Sequence, residues 1–204
     1  NKIAEFRQNV VLTDKDLVLK TNHMDYDLKD NSGKYFNYGI IIDSASTLES
    51  LWGFYIPDRK QFFFKDSVRV KNEKYTMYTD TLKYNTQTEV VYFFGPTRIV
   101  GDTNLLYCQN GWYNTPTDIA QFNNNAYYKN KVQKLSGDSL YYSRNEGLGK
   151  AFSNVTIVDT IENIMLKGHL GVYHETPERS LITDEALFIH YTDEDTLFLH
   201  ADTL

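Results

Sequence analysis

A single cysteine, Cys108, among 204 residues excludes an internal disulfide and a cysteine-built zinc site. Proline (4) and glycine (11) are scarce, which excludes collagen-like and low-complexity chains. No apolar run approaches the ~18 residues that a membrane-spanning helix needs. Positive charge is short too: 21 Lys and Arg against 27 Asp and Glu leave −6, which argues against nucleic acid as a partner. The basic residues form no dense cluster; Lys71 with Lys74, and Lys129 with Lys131 and Lys134, are examples of how they are spread. No window carries a sustained i, i+3, i+4, i+7 apolar stripe, so almost no helix is expected. What the chain does have is aromatic: 16 Tyr, 12 Phe and 2 Trp make up 15% of it, far too apolar for disorder.

The aromatics belong to a repeat. In Leu19-Lys20-Thr21-Asn22-His23-Met24-Asp25-Tyr26 the first position is large and apolar, the third small, the sixth Met, Leu or Gly, and the eighth Tyr. The pattern returns from Leu48, Met77, Leu106, Leu135, Leu166 and Leu199, in steps of 29, 29, 29, 29, 31 and 33. Four identical steps mark a repeat architecture. The sixth position alternates: Met24, Gly53, Leu82, Gly111, Leu140, Gly171, Leu204. Two unlike 29-residue units therefore make a 58-residue super-repeat, and Phe64 and Phe122 are equivalents 58 apart. The whole of 1–204 reads as one domain, a segment of a longer array.

Inside each unit the period is two. Val68, Val70, Tyr75, Met77 and Thr79 alternate with Arg69, Thr76 and Tyr78, as in half-buried strands. Short polar stretches separate the alternating runs: Thr13–Asp16, Asp43–Ser46, Lys71–Lys74, Gly101–Asn104, Lys129–Lys131 and Thr192–Asp195. Such loops predict hairpins, hence antiparallel neighbours. Pro57, Pro116 and Pro177 follow the Tyr of the glycine-type unit, where a strand must bend or end. Gly53, Gly111 and Gly171 are read with them as strand bends, in preference to room left in the interior.

Other chemistry-bearing residues fit quieter roles. Cys108 occupies the small slot otherwise held by Thr21, Ser50, Thr79, Gly137, Gly168 and Ala201, which makes it a packing residue. The five histidines (His23, His169, His174, His190, His200) show no metal-ligand spacing, and exposure is expected at His23 and His169. Asp80, Asp138 and Asp202 recur just after the small slot. A calcium ladder is one reading and an Asx-type turn the better one, since Asn22, Asn110 and His169 stand at related places.

The segments Asp80–Tyr84, Asp138–Tyr142 and His200–Leu204, each after a hydrophobic strand, and the openings Asn9–Asp14 and Ser153–Asp159 resemble the OstA-like family. That group includes LptA-type lipopolysaccharide-transport proteins, and the wording is closest to Bacteroidetes-type members. The resemblance covers essentially the whole chain through the repeat itself, since no single motif is a signature. It implies an all-β, antiparallel β-jellyroll of two facing sheets, slightly open, in the periplasm of a diderm bacterium. It implies no catalysis and no cofactor. Its implied partners are lipopolysaccharide or lipid A acyl chains, with end-to-end strand pairing to itself or to other Lpt-type jellyrolls.

On that resemblance the groove candidates are the inward template positions Leu19, Leu48, Met77, Leu106, Leu135, Leu166 and Leu199, with Met24, Leu82, Leu140, Phe64 and Phe122. Two readings stay open, because inward apolar residues at strand spacing serve equally as the core of a closed sandwich. Two functions stay open as well: a lipid-carrying bridge, and an adaptor module pairing edge to edge with an outer-membrane assembly partner. A carbohydrate-active enzyme finds no support, since no carboxylate pair recurs in a way that marks a cleft. A net acidic chain facing an anionic lipid either leaves the headgroup in water or binds another ligand.

Overall fold

The computed structural model describes residues 2–14, 17–192 and 194–204, the side chains of Asp14 and Glu178 excepted. Lys15, Asp16 and Asp193, placed in turns by the sequence, lie outside the described residues. The chain divides into two compact units, one ending at Asp102 and one beginning at Thr103.

The first unit holds β1 (Ile3–Asp14), β2 (Leu17–Asp27), β3 (Ser32–Ile42), β4 (Ser46–Ile56), β5 (Gln61–Asn72), β6 (Tyr75–Asn85) and β7 (Val90–Gly101). The second holds β8 (Leu105–Asn114), β9 (Ile119–Lys129), β10 (Gln133–Ser143), β11 (Leu148–Asp159), β12 (Ile164–Glu175), β13 (Glu178–Tyr191) and β14 (Thr196–Thr203). Within each unit every strand pairs antiparallel with its sequence neighbours. The fold is all-β, as expected. The one helical element among the described residues is a 3-10 turn at Pro57–Arg59. No helix there is long and apolar enough to cross a membrane. Pro57, Pro116 and Pro177 all fall just beyond strand ends.

Local chemistry explains the turns. Asx residues at strand ends accept backbone N–H bonds two and three residues on. Asp43 does so from Ala45 (2.7 Å) and Ser46 (2.6 Å), Asn72 from Lys74 (2.8 Å) and Tyr75 (2.9 Å), and Asn130 from Val132 (2.8 Å) and Gln133 (2.6 Å).

Every odd-numbered strand is bent at its middle. Residues with left-handed φ sit at Gln8–Asn9, Asn37–Tyr38, Asp66–Ser67, Gly95, Asn124–Asn125, Ser153–Asn154 and Asp184–Glu185. Asn, Asp and Gly tolerate this region best, which is why polar residues interrupt otherwise apolar strands. Register slips at each of these places. In β5–β6, Lys65 faces Thr81 and Val68 faces Thr79, so Asp66 and Ser67 oppose the single residue Asp80. Asn124 and Asn125 likewise oppose Asp138, and Ser153 and Asn154 oppose His169. Such bulges sharpen twist and redirect a strand. Within each unit they divide the sheet into two leaves that face each other across a wedge.

Side chains fill the bend. The Tyr35 ring lies between two glycines: a Cβ on Gly39 would meet it at 2.5 Å and one on Gly53 at 2.0 Å. A Cβ on Gly168 would stand 2.4 Å from Ile182 on the other leaf. Gly53 is therefore not the bend that the sequence suggests. Its φ is not positive, it lies in regular ladder opposite Tyr35 and Phe64, and its missing side chain is room for a ring. Gly171 also sits in regular ladder, between Ala151 and Ile182.

Candidate functional site

In each unit four inward-facing rows line the wedge, two on each leaf. One leaf consists of the first halves of even-numbered strands and the second halves of odd-numbered ones. Beside the bend it carries small residues: Thr21, Gly39, Ser50, Val68, Thr79 and Thr97 in the first unit, and Cys108, Ala126, Gly137, Val155, Gly168, Ala186 and Ala201 in the second. The other leaf faces them with larger groups. Phe6, Met24, Tyr35, Gly53, Phe64, Leu82 and Phe93 pair in succession in the first unit; Gly111, Phe122, Leu140, Ala151, Gly171 and Ile182 do so in the second. Large against small closes the apex. Met24, Phe64, Leu82, Phe122 and Leu140, five of the twelve groove candidates, are buried there as core.

The small slot carries its own chemistry. Thr21 Oγ1 donates to the Tyr38 carbonyl (2.8 Å), and Ser50 Oγ donates to the Trp52 carbonyl (2.8 Å). With its proton so used, Ser50 Oγ accepts from the Tyr35 hydroxyl at 2.5 Å. Burial pushes Tyr35 up to about 12, against the opposing pull of the Ser50 hydrogen bond. Cys108 is fully buried, and burial pushes its thiol up to about 12, so it is an inert packing group.

The bulge residues satisfy one another. Asn154 Nδ2 donates to both oxygens of Asp138, at 3.2 and 3.1 Å, and Thr81 Oγ1 donates to Asp80 at 3.0 Å. Asp80 and Asp138 thus face bulges with hydrogen-bond partners already in place. His169 is exposed, 3.6 Å from Glu185 in a cleft of about 810 Å³ at the bends of β11–β14. His23 is half-buried instead, stacked on Phe36 (centroids 5.4 Å apart), with its Nδ1 buried and unbonded among the described residues.

Away from the apex the leaves differ. On the first leaf the mouth row reads Leu12, Leu19, Ile41, Leu48, Val70, Met77 and Ile99, each paired with the next. In the second unit it reads Leu106, Tyr128, Leu135, Ile157, Leu166, Phe188 and Leu199. On the second leaf the row reads Ala4, Tyr26, Gly33, Tyr55, Phe62, Tyr84 and Val91, then, in the second unit, Tyr113, Ala120, Tyr142, Gly149, Tyr173 and Ser180. One mouth wall is almost wholly aliphatic and the other is a tyrosine ladder.

The remaining candidates, Leu19, Leu48, Met77, Leu106, Leu135, Leu166 and Leu199, all lie on the aliphatic row. Met77 is buried, Leu199 is exposed on β14, and the other five are half-buried. Sequence reasoning missed their partners Ile41, Val70, Ile99, Tyr128, Ile157 and Phe188. A signal was present: each lies 22 residues after the template leucine or methionine that it faces.

The OstA-like protein family matches residues 1–80 and again 72–138, together more than half of the chain. The chain belongs to this family. No curated protein matches the OstA-like chain's sequence. Among solved structures it is similar to LptH, "the LptA homologous periplasmic component of the conserved lipopolysaccharide transport device from Pseudomonas aeruginosa". The identity is 10%, over 76% of this chain and 93% of that one, with a TM-score of 0.30.

Proposed function

We propose that this OstA-like chain is a periplasmic carrier that holds lipopolysaccharide acyl chains in the wedge mouth and passes them toward the outer membrane. The aliphatic mouth row is the observation that carries the reading. It offers Leu, Ile or Val side chains on most strands, and Tyr128 is the one residue of the row with a polar group. A methylene gains about 0.8 kcal/mol on leaving water, so a tail of about twelve carbons gains up to about 10 kcal/mol if fully covered. Equivalent positions on successive strands let a tail slide without a large barrier. The lining is Leu19, Leu48, Leu106, Leu135 and Leu166 with their ladder partners, while Met24, Phe64, Leu82, Phe122 and Leu140 form its floor. No cofactor takes part.

A second reading has its own observation. Leu12 on β1 and Leu197, Phe198 and Leu199 on β14 are exposed, and among the described residues each of these strands pairs on one side only. An adaptor that adds to a partner's sheet would use those edges, and end-to-end pairing with itself or with other Lpt-type jellyrolls would use the same groups.

Photo-crosslinkers at positions 48, 106 and 135, with one at outward-facing Arg69 as control, separate the two. Labelled lipid A captured from the three inward sites but not from position 69 supports the carrier. Capture of protein alone, with no lipid in mass spectra of the purified chain, refutes it in favour of the adaptor.

A further inference from the structure

The tyrosine ladder is too regular to be filler. Tyr26, Tyr55 and Tyr84 in the first unit, and Tyr113, Tyr142 and Tyr173 in the second, occupy every second strand of the same row. Neighbouring tyrosines thus stand about 9.6 Å apart, two strand spacings. Gly33, Ala120 and Gly149 leave room beside Tyr26, Tyr113, Tyr142 and Tyr173, while Phe62 stands between Tyr55 and Tyr84 and stacks on the Tyr55 ring (centroids 4.2 Å apart).

Two of the hydroxyls show where the row points. Tyr26 bonds to Asn31 and Tyr113 donates to Asp118 (2.6 Å), both acceptors lying in the turns at the outer end of the leaf. The phenol bodies therefore line the wedge while the hydroxyls stand at its water boundary, the amphipathic placement for which Tyr is suited. The hydroxyls of Tyr55, Tyr84 and Tyr142 have no hydrogen-bond partner among the described residues. Facing them, the aliphatic row offers no donor or acceptor in the first unit, and in the second only the Tyr128 hydroxyl.

Resting on the carrier reading above, we infer that the tyrosine row reads the polar linkage of the bound amphiphile. The hydrocarbon tail lies on the aliphatic wall, and the ester or amide carbonyl that joins it to its headgroup accepts a hydrogen bond from Tyr55, Tyr84 or Tyr142. A carbonyl drawn to the edge of an apolar trough without a donor loses its water at a cost, and a rim hydroxyl removes that cost. Neutral donors also suit a chain of charge −6, which binds an acylated ligand here without a cationic cluster. The ligand class is thus acyl amphiphiles as distinct from alkyl ones.

The test uses two probes below their micelle concentrations: N-dodecanoylglucosamine, which has the carbonyl, and dodecyl glucoside, which lacks it. The triple variant Tyr55→Phe/Tyr84→Phe/Tyr142→Phe, checked for an unchanged far-UV spectrum, should bind the amide about five- to tenfold more weakly and the glucoside as the unmodified chain does. Equal loss on both probes would make the tyrosines packing groups only, and loss on neither would leave them without a role; either result overturns the inference. Leu48→Asp should weaken both probes together. If the unmodified chain binds neither probe, the carrier reading itself fails and this inference goes with it.

Discussion

Replacing Gly53 by Ala should unfold the first unit far more readily, although the same change at its repeat equivalent Gly171 should pass almost unnoticed. A Cβ at position 53 would lie 2.0 Å from Tyr35 Cε1, 2.3 Å from Cζ and 2.7 Å from the hydroxyl oxygen. The ring has nowhere to retreat, because Gly39 closes the other side of its slot. Tyr35 must be displaced while still buried and give up the 2.5 Å bond to Ser50. Overpacking costs about 1–3 kcal/mol and a stranded buried hydroxyl about 1–3 kcal/mol. The lower chain entropy of Ala returns about 0.5–1 kcal/mol, leaving a net loss of about 3 kcal/mol. At position 171 a Cβ meets Val155 Cγ1 at 3.2 Å and Ala151 Cβ at 3.6 Å, so a shift of tenths of an ångström suffices. There the net change should stay within about 0.5 kcal/mol.

Each unit holds one tryptophan, Trp52 in the first and Trp112 in the second, so urea unfolding can be read separately. With Trp112→Phe as background, Gly53→Ala should lower the Trp52 midpoint by about 2 M, taking a urea slope of about 1.5 kcal/mol/M. Adding Tyr35→Leu should recover part of that loss, since the clash and the orphaned hydroxyl disappear together. Equal midpoints for Gly53→Ala and the parent, or equal shifts at 53 and 171, would refute the ring-slot account.

Three further outcomes follow from the buried hydroxyl and thiol. Tyr35 rises from 10 to about 12 and Cys108 from 9 to about 12, so the folded chain keeps protons that the unfolded chain gives up first. Stability is then intact below pH 9 and falls as pH climbs toward 12; Tyr35→Phe should flatten that fall in the Trp52 signal, and an unchanged slope would contradict it. Cys108 should resist a disulfide thiol reagent at pH 8 until the second unit unfolds, while Cys108→Leu, which overfills a slot held elsewhere by Ser and Thr, should cost about 1–3 kcal/mol by Trp112 urea midpoint.

The strands, their antiparallel order and the inward template positions were legible because hydrophobic alternation is local. So was the inertness of Cys108, which a small slot filled by Thr, Ser, Gly and Ala already implied. The bend was not. Its signal is a pair of polar residues in mid-strand, such as Asp66-Ser67 or Asn124-Asn125, and such pairs also mark ordinary turns. Gly53 was misread for a related reason. A glycine followed by Pro57 satisfies a bend rule, whereas its actual partner, the Tyr35 ring, lies one strand away and only pairing register reveals it. The split of the groove candidates into floor and mouth needed the bend too, since depth in a wedge is distance from the apex.

That dependence runs deeper than assignment. In an unbent strand Leu19 and Thr21 would share a face with His23 and Asp25, and Met24 and Tyr26 would point the other way. The two-against-one bulge, Gln8 and Asn9 opposite Asn22, moves the alternation by one and brings Met24 and Tyr26 to the inward side. Without it the leucine row and the tyrosine row would lie on opposite faces of a flat sheet, and no ligand could touch both. Repeated along each unit, the bulge converts a two-faced sheet into one wedge with an aliphatic wall and a hydroxyl-tipped wall. The acylated amphiphile proposed as ligand is built to the same division, so on that proposal the device that bends the strand would also set what the mouth can hold.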